Sequence, residues 1–447
     1  MKAFPDNRDT VTTATSLRQR AISASFWTAG GFGAQRLVQF ISNLVLTRLL
    51  FPEAFGIMAL ANVILVGLAM FSDVGIKPAI IQNDRGEDPA FLNTAWSIQI
   101  LRGFALWIAA IVLAYPASVI YGQPILFPLI SVLGATAAIN GMASTSLAIS
   151  ERRLSISRLT GIQIIGQVVT LTLTAMMAWQ IRSVWALAYG ALVGASVTTW
   201  LSYVIIPSHV HRFFLEREAF NTLFRFGRWI FLSTLVTFLG GQGLRAIQGV
   251  YLSAGELGIL ALAQTLAWMP GDLVAQLMNM VGFPALSELS KRGHTEMANA
   301  LHGMRIKVLL MALPMFIGIS LISGPLIKIL YDFRYAEAGG YLAILSITGS
   351  ISIIPMGYQS AFMAIGNTRL HFVVLTVSMA TRILGLIGGF YVGGINGMLI
   401  GIGCGSIISY FFTAVRARRL GLFKLPIDAA GFAAVGVAAL VCWEIYG

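Results

Sequence analysis

Charge is scarce in this sequence: only 11% of its 447 residues are Asp, Glu, Lys or Arg, while 57% are hydrophobic. A soluble domain carries about 25% charged residues, so the shortage excludes a soluble globule. Cysteine is nearly absent. Cys404 and Cys442 both fall inside apolar runs and read as small hydrophobes, which leaves no disulfide framework and no thiolate metal site. Histidine does not fill that gap: His209 and His211 are two apart and point to different sides of a helix, and His294, His302 and His371 stand at the ends of apolar runs. Phosphate-binding loops of the G-x-x-x-x-G-K-[ST] type and nucleophile elbows are also missing. Nor is any polar stretch long enough to fold as a catalytic domain. The expectation is a protein that is not an enzyme and carries no cofactor or metal.

What is present in abundance is apolar sequence in long runs. Thirteen of them, called spans 1 to 13 below, cover about residues 22–48, 54–80, 92–118, 125–148, 157–179, 184–206, 227–250, 256–285, 306–328, 339–365, 369–391, 394–415 and 428–446. Nearly all are long enough for a helix to cross about 30 Å of hydrocarbon; span 13 is the shortest. Their apolarity is continuous rather than alternating, which points to helices and not to barrel strands. The fold class expected is an all-α polytopic membrane protein of about 12–14 transmembrane helices. Residues 1–21 are polar and lead into a run too long for a secretory signal core, so they read as a retained cytoplasmic tail.

The formal net charge is +12, but the basic residues sit singly or in small groups between apolar spans. That placement argues against nucleic acid as a partner and for the bilayer, whose insertion rule keeps Lys and Arg on the cytoplasmic side. With the N-terminus inside, 22 of the 30 Lys and Arg fall in cytoplasmic segments or at their helix ends, and only Arg48, Arg182, Lys328 and Arg334 fall outside. The implied location is a bacterial inner membrane. An odd number of spans places the C-terminus in the periplasm.

The chain also repeats itself. Gly56-Ile57-Met58-Ala59-Leu60-Ala61 recurs as Gly258-Ile259-Leu260-Ala261-Leu262-Ala263, each copy opening an outside-to-inside span. The same two spans end in Lys77-Pro78-Ala79-Ile80 and Phe283-Pro284-Ala285-Leu286. Ordered matches at both ends of spans 2 and 8 indicate a parallel repeat of two six-span units, as in transporters whose site lies between the halves. The division expected is a tail over 1–21, a bundle over 22–206, a cytoplasmic linker over 207–226, a second bundle over 227–416, and a loop with one extra helix over 417–447.

Six charged residues lie inside spans and away from their ends: Arg36, Arg102, Arg245 and Arg382, with Asp73 and Asp272. An arginine at a helix centre costs about 2.5–3.5 kcal/mol on insertion scales, which makes each a functional candidate. All four arginines lie on odd-numbered spans. Each could instead pair with a carboxylate or snorkel to an interface, most readily Arg245 in the outer third of its span. Four arginines against two carboxylates leave a positive excess, suited to an anion such as phosphate. Asp73 and Asp272 are candidates for a coupling proton or sodium ion, or for neutralising an arginine. Pro270-Gly271, Pro314 and Pro355 should bend or interrupt their spans.

Leu46-Thr47-Arg48-Leu49-Leu50-Phe51-Pro52-Glu53-Ala54-Phe55-Gly56 resembles the junction of the first two helices in bacterial polysaccharide flippases of the Wzx type, members of the multidrug/oligosaccharidyl-lipid/polysaccharide (MOP) exporter superfamily. Phe71-Ser72-Asp73-Val74-Gly75, the stretch from Val281 to Ser287 and the order of spans are similar too, over about residues 20–416. The resemblance implies two six-helix bundles around a central cavity that opens alternately to each side. It implies as substrate an oligosaccharide repeat unit on undecaprenyl pyrophosphate, with a polysaccharide polymerase and a chain-length regulator as further partners. Two departures stand out: Leu244, not an acidic residue, precedes Arg245, and the chain ends after one extra span. A MATE-like multidrug/ion antiporter is the alternative, expected to hold more carboxylate than arginine. A membrane glycan polymerase is a weaker third reading, since it needs a sizeable periplasmic segment.

Overall fold

The computed structural model describes residues 30–72, 75–153, 156–206, 211–220 and 238–446. Every regular element among them is helical. A chain this apolar has no water at membrane depth to satisfy its backbone, and helices do so internally. Eight helices are long and apolar enough to cross a bilayer, or ten spans if each of two bent pairs counts as one. The 52-residue element Thr368–Arg419 contains both span 11 and span 12. Gly393 and Gly394 leave helical geometry there, Gly394 with φ of +58°, and fold it into a hairpin. Span 1 is described over residues 30–49, and span 7 from its end, as a π-turn over Leu239–Gly243 and the helix Leu244–Tyr251. The tail, Asp73 and the first part of span 7 lie outside the described residues.

Among the described residues, spans 2, 4, 8 and 10, which the sequence repeat would pair as 2/8 and 4/10, are interrupted, and span 9 breaks near its end at Ile322. Span 2 is Pro52–Phe71 followed by Ile76–Gln82, with Gly75 at φ of +64° between them. Span 4 is Leu126–Gly141 and Ser146–Arg152, bent by 60°, and span 8 bends by 43° between Ala254–Ala267 and Met269–Arg292. A π-turn over Met278–Gly282 adds a second irregularity to span 8. Span 10 is Ala338–Ile353 and Met356–Ala364, separated at Pro355. Pro314 behaves differently: it sits inside the unbroken helix His294–Leu321.

Each break orphans backbone carbonyls, and long polar side chains from neighbouring helices take them up. At span 4 the Gln99 amide donates to the carbonyls of Asn140, Gly141 and Ala143 at 3.2–3.3 Å, and the Tyr203 hydroxyl donates to Met142. At span 2 the Arg102 guanidinium donates to the Ala69 carbonyl at 2.9 Å and to the Ser72 hydroxyl at 3.0 Å. At span 10 the Arg305 guanidinium donates to the Ile354 carbonyl at 3.0 Å.

Two compact units account for the chain. One comprises Met1–Phe51 with Leu60–Phe238, and the other Pro52–Ala59 with Leu239–Gly447, so span 2 is divided between them. In the first unit, spans 1 and 5 meet through a Gln35–Gln163 hydrogen bond of 2.7 Å. Residues 212–216 run along the start of span 3, where Asn93, Ser97 and Thr94 accept alternate N–H groups from Arg212, Phe214 and Glu216. His211, ahead of that strand, packs against Trp96 and Tyr203 with ring centroids 5.3 Å away and reaches the Thr145 hydroxyl at 3.2 Å. In the second unit the final helix, Leu425–Tyr446, docks on His294–Leu321. Three histidines therefore have structural partners that their sequence positions did not suggest, since His294 and His302 reach the carbonyls of Leu420 and Leu422 at 2.7 and 2.9 Å. Cys442 is buried there while Cys404 is exposed, so only one of the two packs as an interior hydrophobe.

Candidate functional site

The charged residues of the spans fall into local settings, described unit by unit. In the first unit, Arg36 is half-buried on span 1. Its guanidinium donates to Gln39 at 3.2 Å and lies 5.1 Å from the centre of the Phe32 ring, a cation–π arrangement. Arg102 is half-buried on the continuous helix Pro89–Ile120, and its carbonyl and hydroxyl partners cap the broken end of Pro52–Phe71. A cation at a helix C-terminus also meets the negative end of the helix dipole. Asp73, which follows Ser72 in sequence, lies outside the described residues.

In the second unit, Arg245 opens the helix that follows the π-turn Leu239–Gly243, and it lies in the electrostatic field of Asp272. Asp272 is exposed in the first turn of Met269–Leu277, just past the bend in span 8. One turn from Arg245, the buried Gln248 and Gln264 join spans 7 and 8 by a hydrogen bond of 3.0 Å. Two π-turns thus bracket Arg245 and Asp272 in sequence, and such turns gather at functional positions.

Arg382 occupies the most constrained setting of the four. Its Nη2 donates to the Ser352 hydroxyl at 3.1 Å, whereas its Nε is shielded and has no hydrogen-bond partner among the described residues. The glycine spacing of spans 11 and 12 puts it there. A Cβ on Gly385, Gly389, Gly397 or Gly401 would fall on a carbonyl of the facing helix, so the two backbones touch directly. At the next step of this ladder, a Cβ on Gly405 would lie 2.8 Å from the Cα of Arg382. The ladder fixes the height and rotation of Arg382, and small residues allow that approach in a membrane helix pair.

Sequence reasoning missed a second charged cluster. Arg305, one of the 22 Lys and Arg assigned there to cytoplasmic segments or their helix ends, is 2% exposed and pairs with Asp428, which is fully buried. Asp428 also accepts hydrogen bonds from the hydroxyls of Tyr358 and Tyr410, each at 2.9 Å. No local pattern announces this pair, because its members lie 123 residues apart. The buried glutamines were findable, since strongly polar amides inside apolar spans need partners.

The fold defines a class. With a lipid II flippase, MurJ, in its inward closed conformation, the structure has a TM-score of 0.70 at 15% identity, over 95% of this chain and 92% of that one. With an inward-facing multidrug resistance MATE transporter the TM-score is 0.67, also at 15% identity, over 87% of this chain and 95% of that one. The protein therefore has the fold of the MOP superfamily.

Within that class the family is defined by sequence. The family model described as polysaccharide biosynthesis protein matches residues 45–339, and the chain belongs to that Wzx-like family. The lipopolysaccharide biosynthesis protein WzxC of Escherichia coli is 23% identical over 408 residues, covering 89% of this chain and 81% of its own. An uncharacterized membrane protein of the cps region in Klebsiella pneumoniae is 21% identical over 405 residues, with 89% and 83% covered. The protein is therefore a multi-pass membrane protein of the polysaccharide biosynthesis family, with a fold shared by a MATE transporter.

Proposed function

We propose that the protein flips a lipid-linked oligosaccharide repeat unit, carried on undecaprenyl pyrophosphate, across a bacterial inner membrane for exopolysaccharide or lipopolysaccharide assembly. The observation that carries this reading is the excess of guanidinium over carboxylate within the spans. Arg36, Arg102, Arg245 and Arg382 are the candidates for binding the anionic headgroup. A diphosphate leaving water must exchange hydration for charge-assisted hydrogen bonds, and Arg382 has a donor to spare. Alternating access moves the headgroup, with the N-terminus in the cytoplasm as the distribution of Lys and Arg dictates. The names of relatives point the same way, among them a succinoglycan biosynthesis transport protein of Rhizobium meliloti and a teichuronic acid biosynthesis protein of Bacillus subtilis. Polymerase and chain-length regulator are the partners that would take the product.

The test is accumulation of lipid-linked repeat units in cells carrying Arg36→Ala, Arg102→Ala or Arg382→Ala. Each should accumulate them, with Lys substitutions milder because they keep charge but lose the two-pronged geometry, and Glu substitutions worst. Wild-type export by the triple Ala variant at matched protein level would end the anion-binding account. Export of cationic drugs by the wild-type protein would favour the antiporter reading instead.

A further inference from the structure

The cluster of Arg305, Asp428, Tyr358 and Tyr410 lies outside the charged residues assigned above, and it meets the break in span 10 directly. Pro355 offers no N–H to a helix, and the Tyr358 N–H turns to the Pro355 carbonyl at 3.0 Å. The Ile354 carbonyl is therefore released from the helix ladder, and Arg305 Nη2 takes it at 3.0 Å. The same guanidinium holds the piece beyond the break, donating to the Tyr358 hydroxyl at 2.5 Å while its carbon lies 3.8 Å from the centre of that ring. One side chain thus grips both halves of an interrupted helix. Two residues before Ile354, on the upper half, stands Ser352, the hydroxyl that Arg382 holds.

A guanidinium this deeply buried needs a counter-ion, or its desolvation is uncompensated. Asp428 supplies it from the terminal helix, with one oxygen on Arg305 and the other on Tyr358 and Tyr410. His294 and His302 clasp the carbonyls of Leu420 and Leu422 in the loop that leads to that helix. The terminal helix is in this way tied to the element that bears Arg305, His294–Leu321.

We infer that Arg305 is a positioning residue: held by Asp428 of the terminal helix, it fixes the break of span 10 and so sets the pose of Ser352 and Arg382. This rests on the anion-binding role given to Arg382 above. The cluster itself is closed to substrate, since both charges are buried and paired with each other. Its influence passes through the carbonyl of Ile354 to a hydroxyl two residues away. The extra span of this chain is then a working part of the second unit, because removing it leaves Arg305 unmatched.

The experiment compares Asp428→Asn, Arg305→Met/Asp428→Leu and wild type, each full-length and in a Cys404→Ser/Cys442→Ser background. Asp428→Asn should lower the melting temperature and protein level, because it strands a buried charge. The double Met/Leu variant removes both charges and should melt near wild type. Spin labels at Glu337→Cys, the exposed N-cap of Ala338–Ile353, and at Met363→Cys, exposed on Met356–Ala364, report the break directly by pulsed distance measurement. The double variant should give a broader or shifted distribution than wild type, together with a loss of export. An unchanged distribution in the folded double variant overturns the inference, whatever export does. A changed distribution with export intact supports the positioning of the break by Arg305 and counts against the role proposed for Arg382.

Discussion

Gly56 and Gly258 face each other so closely that neither can carry a side chain. A Cβ on Gly56 would fall on the carbonyl oxygen of Ala254, and a Cβ on Gly258 on that of Pro52. The contact is reciprocal, because each glycine meets the residue four before the other. These are the residues that open the two copies of the sequence repeat, so the repeated segments pack on each other about a local twofold relation. No bulky side chain interlocks between the two glycines, and the close approach of backbones suits weak Cα–H···O contacts.

Substitution at this contact is the first prediction. Gly56→Leu or Gly258→Leu forces two backbones apart, and overpacking of this kind costs typically about 1–3 kcal/mol, occasionally more. Gly255→Ala, a neighbour whose Cβ would meet only the Glu53 side chain at 3.3 Å or more, is the control and should be tolerated. Thermal melting of the purified variants reads the difference. Equal melting of Gly258→Leu and wild type would mean that the contact is not made in the bilayer.

The second prediction concerns the loop between spans 2 and 3. Arg85 bonds Asp88 and Glu216, and Arg153 bonds Glu87. The Arg85 guanidinium holds the Asp88 carboxyl below its ordinary range, and Arg153 does the same for Glu87. A carboxyl whose folded pKa is depressed adds stability above its unfolded value, about 4, and loses it as pH falls through the folded value. Melting temperature should therefore decline on acidification below about pH 4, and less so in Arg85→Gln, whose Asp88 keeps the Ala90 N–H but loses the larger cause of its depression. The pairs are largely exposed, so the effect should be small and shrink further in high salt. A decline identical in Arg85→Gln and wild type would assign the acid sensitivity elsewhere.

Much of this architecture was legible in the sequence, and the limits have physical causes. Continuous apolar runs fix spans because the bilayer leaves helices no alternative, whereas the close approach of Gly56 and Gly258, two matched residues of the repeat, was not announced by the matches themselves. The interruptions at Pro270 and Pro355 followed from missing N–H groups. Those of spans 2 and 4 did not, since the stretch from Met142 to Thr145 contains no proline and its bend is held by Gln99 and Tyr203 from other helices. Pro314 failed in the other direction, as its helix continues through it. Hydropathy also misread Arg305. Surrounded in sequence by Arg292 and Lys307, it resembled a solvated basic flank, and only the fold brings Asp428 to it.

The last prediction separates two roles for Asp272. The carboxylate stands in the field of Arg245, near a bend and between two π-turns. If it carries a coupling ion, Asp272→Asn must lose export with protein level intact. Coupling between sites is typically about 1–3 kcal/mol, so the loss should be roughly 5–150-fold. If it only neutralises Arg245, the same change leaves an unmatched guanidinium, and it should cost nothing further once that guanidinium is gone. Because Arg245 is itself proposed to bind the headgroup, the double variant Arg245→Gln/Asp272→Asn is compared with Arg245→Gln alone. A further loss of export in the double variant favours ion coupling, and equal export assigns Asp272 to charge pairing. Asp73→Asn belongs in the same series, because Asp73 is the other carboxylate that the sequence places inside a span and away from its ends. Normal export by Asp73→Asn/Asp272→Asn would remove ion coupling through both carboxylates. The gradient of the substrate, or another ion site, would then have to drive the cycle.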